Sequence, residues 1–208
     1  MSKHRLELFS DAIMAIIITV MVLDLRAPLQ AGWHAWLTVL PSIAVYLLGF
    51  LTIAGIWSAH RQYFVRFRVI NHQIMWANFT LLFLSSLLPL TVRAVADHPH
   101  DTADTVAFLI VLTSVFLCTG WMRLAAKKAH EHDAEFQEWS KARSRYGHLS
   151  LSAFVLDAAI AFVSPIAAQL LVGCFILASI YGITRSEREQ DAPASATEAP
   201  DATELSLQ

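Results

Sequence analysis

The chain has 208 residues, 56% of them hydrophobic and only 15% charged, with a mean hydropathy of +0.50 and a formal net charge of −2. Globular domains run nearer ~45–50% apolar and ~25% charged. The composition therefore excludes an ordinary water-soluble domain, and the charge gives no footing for nucleic-acid binding, since no basic patch is interleaved with aromatics outside the apolar runs. Cys118 and Cys174 both lie in apolar runs and form neither a disulfide framework nor a metal pattern. What remains is an all-α polytopic membrane protein or an unusually apolar helical bundle.

A helix needs about 20 apolar residues to cross a hydrocarbon core of ~30 Å. In chain order, six stretches meet or approach that length: 6–25, 36–59, 70–92, 105–126, 148–163 and 166–184. The first contains Asp11. Ser10 and Asp11 could cap a helix starting at Ala12, but the remainder up to Leu25 would rise only about 21 Å, too little to span. The helix is therefore predicted to start near His4, with Asp11 two turns inside it. The short fifth stretch is separated from the sixth by Ser164-Pro165, and a single helix through both would be too long for one span, so a tight hairpin is expected.

The basic residues test this count. With sides alternating, one side receives Lys3, Arg5, the 61–68 arginines, Arg123 to Arg145, and Arg185 and Arg188, which is thirteen of the fifteen Lys and Arg; the other receives only Arg26 and Arg93. That asymmetry fits six spans with both termini cytoplasmic, and five or seven spans would scatter it. No short h-region with a cleavage site opens the chain, so the first stretch is expected to be retained as a span. Residues 127–147 are polar and read as a cytoplasmic helical linker. Its His130, His132, Asp133 and Glu135 read as a solvated face, because no second ligand cluster of matching spacing appears. Residues 1–185 form the expected membrane domain. Residues 186–208, rich in Ala, Pro, Ser, Thr and acids towards their end, are expected to be a disordered cytoplasmic tail.

An ionisable residue inside a span is costly and marks function by default. Asp11, His60 and Asp157 are such residues. Asp11 lies about 120° around the helix from Arg5, so its partner is sought on neighbouring helices, where His60, Arg61 and Asn78 are candidates. Asp157 is expected to be structural, hydrogen-bonded to Ser152 or Gln169. At ~100° per residue, Arg5, Ala12, Ile16, Thr19 and Leu23 fall in one stripe about 60° wide. Copies of such a stripe around an axis would make hydrophobic rings and one hydroxyl ring, the means by which channels constrict and discriminate. Read alone, the same stripe also suits ordinary helix packing.

The run Arg5-Leu-Glu-Leu-Phe-Ser-Asp-Ala12, followed by the Ile/Thr/Leu-rich segment ending Leu23-Asp24-Leu25, resembles the first span of the transmembrane protein 175 potassium-channel family. Trp57-Ser-Ala-His60-Arg-Gln-Tyr-Phe64, Asn78 and Leu87-Leu88-Pro89 extend the likeness. The last three spans match it mainly in hydropathy and length. The resemblance implies a homotetramer of a bacterial inner membrane whose first spans line a central pore, conducting potassium passively. The chain has no Thr-Val-Gly-Tyr-Gly filter. Mapped from the motif, Ile16 would be the constriction, Thr19 the hydroxyl ring and Leu23 the outer ring. Arg5, Ser10, Asp11 and His60, with Asn78, would form the buried polar network holding the pore helix. Potassium would be a transient occupant; no cofactor, resident metal or catalytic residue is expected.

Two other classes compete. A proton-coupled secondary transporter would use Asp11, His60 and Asp157 as a relay, but no inverted repeat and no paired Gly/Pro breaks are evident. A membrane enzyme would need clustered nucleophiles or acid/base pairs facing one cavity, which Ser85-Ser86 and Asp157 do not make. No phosphate-binding Gly-x-x-x-x-Gly-Lys-Ser/Thr run is present either.

Overall fold

Helix starts follow local capping chemistry. In the computed structural model, which describes residues 2–196, the Ser2 hydroxyl accepts from the Arg5 N–H at 3.4 Å and opens α1 (Lys3–Met21). A 3-10 turn over Val22–Asp24 follows. Gly32, with a φ of 107° that side chains resist, precedes the short α2 (Trp33–Leu37). Proline occupies the first turn of α3 (Leu40–Arg66), where its missing N–H costs nothing. Asn71 caps α4 (His72–Ser85) through Ile74 N–H at 2.8 Å. Asp101 caps α6 (Thr102–Ala129) at 3.0 Å, and Asp133 caps α7 (Ala134–Ala161) at 3.1 Å. Between α4 and α6 lies α5 (Leu88–Asp97); the last helix is α8 (Pro165–Ala196).

Among the described residues, four segments are long and apolar enough to cross a membrane: α3, the α4–α5 pair, α6 and the Pro165–Gly182 part of α8. The helices that hold the first and fifth predicted stretches are mixed in polarity, since α1 carries Glu7 and Asp11 and the half of α7 ahead of residue 148 is charged. The helix start predicted near His4 is at Lys3. Its end comes earlier than residue 25. The segment to Leu25 runs through a tighter turn into extended backbone shortly before Pro28, which disfavours helix in the residue ahead of it.

The third predicted span is two helices, because Pro89 cannot donate to the Ser85 carbonyl. The predicted linker at 127–147 is not a separate element. α6 runs to Ala129 and α7 starts at Ala134 and continues unbroken, with Gly147 alone too weak to stop it. Phe162–Ser164 makes the hairpin into α8, where the Ser164 hydroxyl accepts from Ala167 N–H at 3.3 Å. α8 continues to Ala196, and the rest of the predicted tail lies outside the described residues.

Helix α6 packs against α4, α5, α7 and α8, while α1 lies against α3 and α4. One apolar cluster centred on Ile53, Leu88, Leu109 and Val172 joins α3, α5, α6 and α8. A second, with Leu6, Phe64, Phe67, Met122 and Phe136, closes the end where α3 and α6 finish. A third, with Met14, Leu81 and Val115, ties α1 to α4 and α6. Large side chains such as Phe83, Leu90, Leu117, Leu156 and Leu170 face outward. An apolar exterior of that extent suits hydrocarbon surroundings.

Of the glycines, Gly49 of α3 is the most tightly enclosed. A Cβ there would meet the Met21 side chain of α1 and both γ-methyls of Val92 of α5 at 3.0 Å. Gly49→Val is expected to destabilise the bundle by about 1–3 kcal/mol through overpacking. Gly120→Ala, where nothing lies within 4 Å of the added carbon, should not. Thermal unfolding in detergent followed by circular dichroism checks the difference.

Candidate functional site

Buried polar side chains of α1 and α3 meet at Asn78 of α4. Its side chain, wholly buried on α4, donates from Nδ2 to the Ser10 hydroxyl of α1 at 2.9 Å. Ser10, also wholly buried, donates to the Leu6 carbonyl one turn earlier at 2.8 Å. The Asn78 Oδ1 is 2.7 Å from Nε2 of His60, which is 1% exposed on α3. With the Asn78 amide committed to Ser10, its oxygen accepts, so Nε2 of His60 carries the proton. The imidazole also stacks on Phe64, with centroids 4.3 Å apart. The result is a directional chain of hydrogen bonds from α3 through α4 to α1.

Asp11 does not join that chain. It lies half-buried on the flank of α1, where its Oδ1 accepts from the indole N–H of Trp57 on α3 at 2.9 Å. The partners predicted for it, His60, Arg61 and Asn78, are displaced by Trp57, which is one turn before His60 and so shares its side of α3. A tryptophan N–H needs an acceptor, and that rule could have singled out Trp57 from its place in the motif. Arg5, predicted in the buried network, is exposed in the single chain, on the far side of α1 from Leu6 and Ser10. The structure thus brings together Ser10, His60 and Asn78, holds Asp11 nearby through Trp57, and leaves Arg5 outside.

The two sides of α1 differ sharply. Leu6, Ser10, Met14, Ile17 and Met21 are buried. At ~100° per residue they form a face about 150° around from the Ile16 stripe. Ala12, Ile16, Thr19 and Leu23 are exposed, Ile16 at 60% and Leu23 at 78%. Leu23 sits on the 3-10 turn, whose ~120° per residue turns it somewhat away from the ideal stripe. The Thr19 hydroxyl is 3.0 Å from both the Ala15 and Ile16 carbonyls. It bonds back to its own helix, as threonines in apolar helices do, yet it stays exposed.

Asp157 on α7 is 6% exposed, and its Oδ1 has no hydrogen-bond partner. The predicted partners are engaged elsewhere. Ser152 donates to the His148 carbonyl, while Gln169 donates to the Pro99 carbonyl and to Thr105. Helix rotation decides this, because Ser152 and Gln169 are near Asp157 in sequence or hairpin order but point to other neighbours. His130 and Asp133 have structural work. The Arg68 N–H donates to Nε2 of His130 at 2.9 Å, so Nδ1 donates to the Ala126 carbonyl, and Asp133 pairs with Arg68 at 3.4 Å. Among the described residues no three His, Cys, Asp or Glu side chains are grouped to hold a metal ion.

Comparison with known proteins bears on this arrangement. The sequence model described as "Endosomal/lysosomal potassium channel TMEM175" matches residues 5–89, the segment holding the stripe and the Ser10–Asn78–His60 chain. A potassium channel of Chamaesiphon minutus is 30% identical over 203 residues, covering 88% of this chain and 94% of its own. The zebrafish endosomal/lysosomal proton channel TMEM175 is 32% identical over 114 residues, covering 51% of this chain and 22% of its own. The crystal structure of a lysosomal potassium-selective channel TMEM175 homolog from Chamaesiphon minutus superposes with a TM-score of 0.72 at 22% identity. That superposition covers 88% of this chain and 97% of the other, and shows a shared fold.

Asn78→Leu strands a buried imidazole N–H and a buried hydroxyl, and is expected to cost about 1–3 kcal/mol. Trp57→Phe, which frees a half-buried carboxylate that water can reach, should cost less. Unfolding midpoints of the two variants in one detergent give the ranking.

Proposed function

This chain belongs to the TMEM175 channel family, which is not a family of enzymes, and on that premise we propose that it conducts potassium passively through a pore lined by α1 of each subunit. One observation carries the reading. α1 is pinned to the bundle by its Ser10 face and presents Ala12, Ile16, Thr19 and Leu23 on a face that the other described residues leave exposed. In a closed ring of copies, four in the assembly expected, that face meets its own equivalents around the axis. The asymmetry of basic residues supports six spans in a bacterial inner membrane, with α1 and α7 crossing beside the four apolar segments and both termini cytoplasmic.

The chemistry of each ring follows from its side chain. Ile16 excludes water from a narrow passage and sets the barrier. Thr19 spends its one proton on the Ala15 and Ile16 carbonyls, which leaves the oxygen lone pairs for a partly dehydrated cation. Potassium sheds water more readily than sodium, so an oxygen ring between two hydrophobic rings favours it. Ser10, Asn78 and His60 hold the helix still while ions pass on its other side. Asp11, tied to Trp57, keeps its negative charge beside the same helix.

Reconstitution into liposomes with a potassium gradient tests the reading. Rapid flux that needs no proton gradient supports it, and Ile16→Asn should raise that flux by making the ring wettable. Flux bound to a proton gradient and lost in Asp157→Asn would put a proton-coupled transporter in its place. Unchanged flux in Ile16→Asn would move the pore away from the stripe.

Selectivity has its own test. Thr19→Ala is expected to narrow the potassium-over-sodium permeability ratio, while Thr19→Ser preserves it. Reversal potentials under bi-ionic conditions, with assembly checked by size-exclusion chromatography, read the change; an identical ratio in wild type and Thr19→Ala would remove Thr19 from the selecting layer.

A further inference from the structure

Between α3, α6, α7 and α8 lies a cavity of about 690 Å³, with no α1 residue in its lining. Its ends differ in chemistry. Where α3 and α6 approach their C-termini and α7 rises, Arg66, Arg123 and Arg143 surround the mouth with Trp139 among them. Deeper, the walls are Leu112, Phe116, Phe154, Phe175 and Ile176. The lining runs from Arg66 back to Thr52 on α3 and from Arg123 back to Leu112 on α6. At ~1.5 Å per residue that is about 16–21 Å, comparable to one leaflet of a ~30 Å hydrocarbon core.

The three guanidinium groups are held in place but not neutralised. Arg66 lies over the Trp139 ring at 5.1 Å, and Arg143 over the Tyr63 ring at 5.9 Å. Arg123 donates from Nη1 to the Ser140 carbonyl at 2.9 Å and to its hydroxyl at 3.0 Å. Among the described residues no carboxylate is within ion-pair distance of any of the three; Glu135 acts on Arg66 from further away. Each guanidinium therefore keeps N–H donors for an anion. Bare backbone, meanwhile, widens the cavity. Gly120, Gly147 and Gly182 all line it, and a Cβ at each would meet nothing within 4 Å. Glycine is a poor choice inside a helix unless the space is wanted.

We propose that this cavity is a binding site for an anionic phospholipid, with an acyl chain between the helices and the phosphate held by Arg66, Arg123 and Arg143. A free phosphate uses the mouth and leaves the long apolar wall empty. A second copy of the chain could bring carboxylates to the arginines but has no acyl chain to lay along the apolar wall. A phospholipid satisfies both ends, and a basic pocket between membrane helices on the cytoplasmic side is where an anionic headgroup is drawn. The site is separate from the proposed pore, and its test is read without ion flux, so either conclusion can fail alone.

Native mass spectrometry of the full chain in detergent, with phosphatidylglycerol or phosphatidylcholine added at equal concentration, gives the measurement. Wild type is expected to retain phosphatidylglycerol at least about tenfold better than phosphatidylcholine. Arg66→Gln with Arg143→Gln should erase that preference. Gly147→Leu fills the cavity and alters no charge, and should cut phosphatidylglycerol retention about tenfold, which keeps the test decisive if the arginine variant misfolds. Equal retention of the two lipids by wild type, undiminished retention in Gly147→Leu, or displacement of the lipid by inorganic phosphate would each overturn the assignment.

Discussion

A histidine, an asparagine and a serine on three different helices share one chain of hydrogen bonds, and that chain determines how α1 meets the rest of the molecule. His60 donates to Asn78, Asn78 to Ser10, and Ser10 to the Leu6 carbonyl. In an apolar interior a stranded donor costs about 1–3 kcal/mol, so any rotation of α1 that breaks the Ser10 contact is penalised. The register of α1 is thereby set against α3 and α4 together. Asp11 and Trp57 add a second tie from the flank of the same helix.

With one side of α1 fixed, its other side has no choice. Ile16, Thr19 and Leu23 are left exposed among the described residues. An apolar stripe interrupted by one hydroxyl is wasteful in a lone subunit and useful where copies meet around an axis. The same geometry gives Thr19 two roles that exclude each other in many helices. Its proton satisfies the backbone while its oxygen stays open. In the proposed pore, rigidity and ion contact sit on opposite sides of a single helix.

Elsewhere the bundle is organised by α6, which touches four other helices. Where α3 and α6 end, aromatic packing takes over from aliphatic packing, with Phe67, Phe136 and His130 in mutual contact and Phe64 against Phe67. Arg66, Arg143 and Arg123 gather at that end on rings and carbonyls instead of carboxylates. An unpaired cationic cluster is stable at a membrane surface because water and anionic headgroups screen it. The end of the bundle that is richest in charge is therefore also the one equipped to meet the lipid surface.

Hydropathy and charge in the sequence already determine the all-helical class, the long apolar segments, the hairpin at Ser164-Pro165 and the early start of α1, because each depends on neighbours within a few turns. The stripe on α1 is legible for the same reason: helical phase is local. Motif residues Ser10, His60 and Asn78 can be singled out from the chain alone, but their connection cannot. Hydrogen-bond partners depend on which helices touch and how each is rotated. That is why Trp57 stands where His60 was expected beside Asp11, why Arg5 lies outside, and why Ser152 and Gln169 turn from Asp157 to the His148 and Pro99 carbonyls. The break at Pro89 and the 3-10 end of α1 belong to the tertiary level in part, since a proline permits a break while packing decides its form. Local periodicity fixes a helix and its faces; only the assembled bundle decides what each face meets, because that choice is made by groups distant in sequence competing for the same few buried partners.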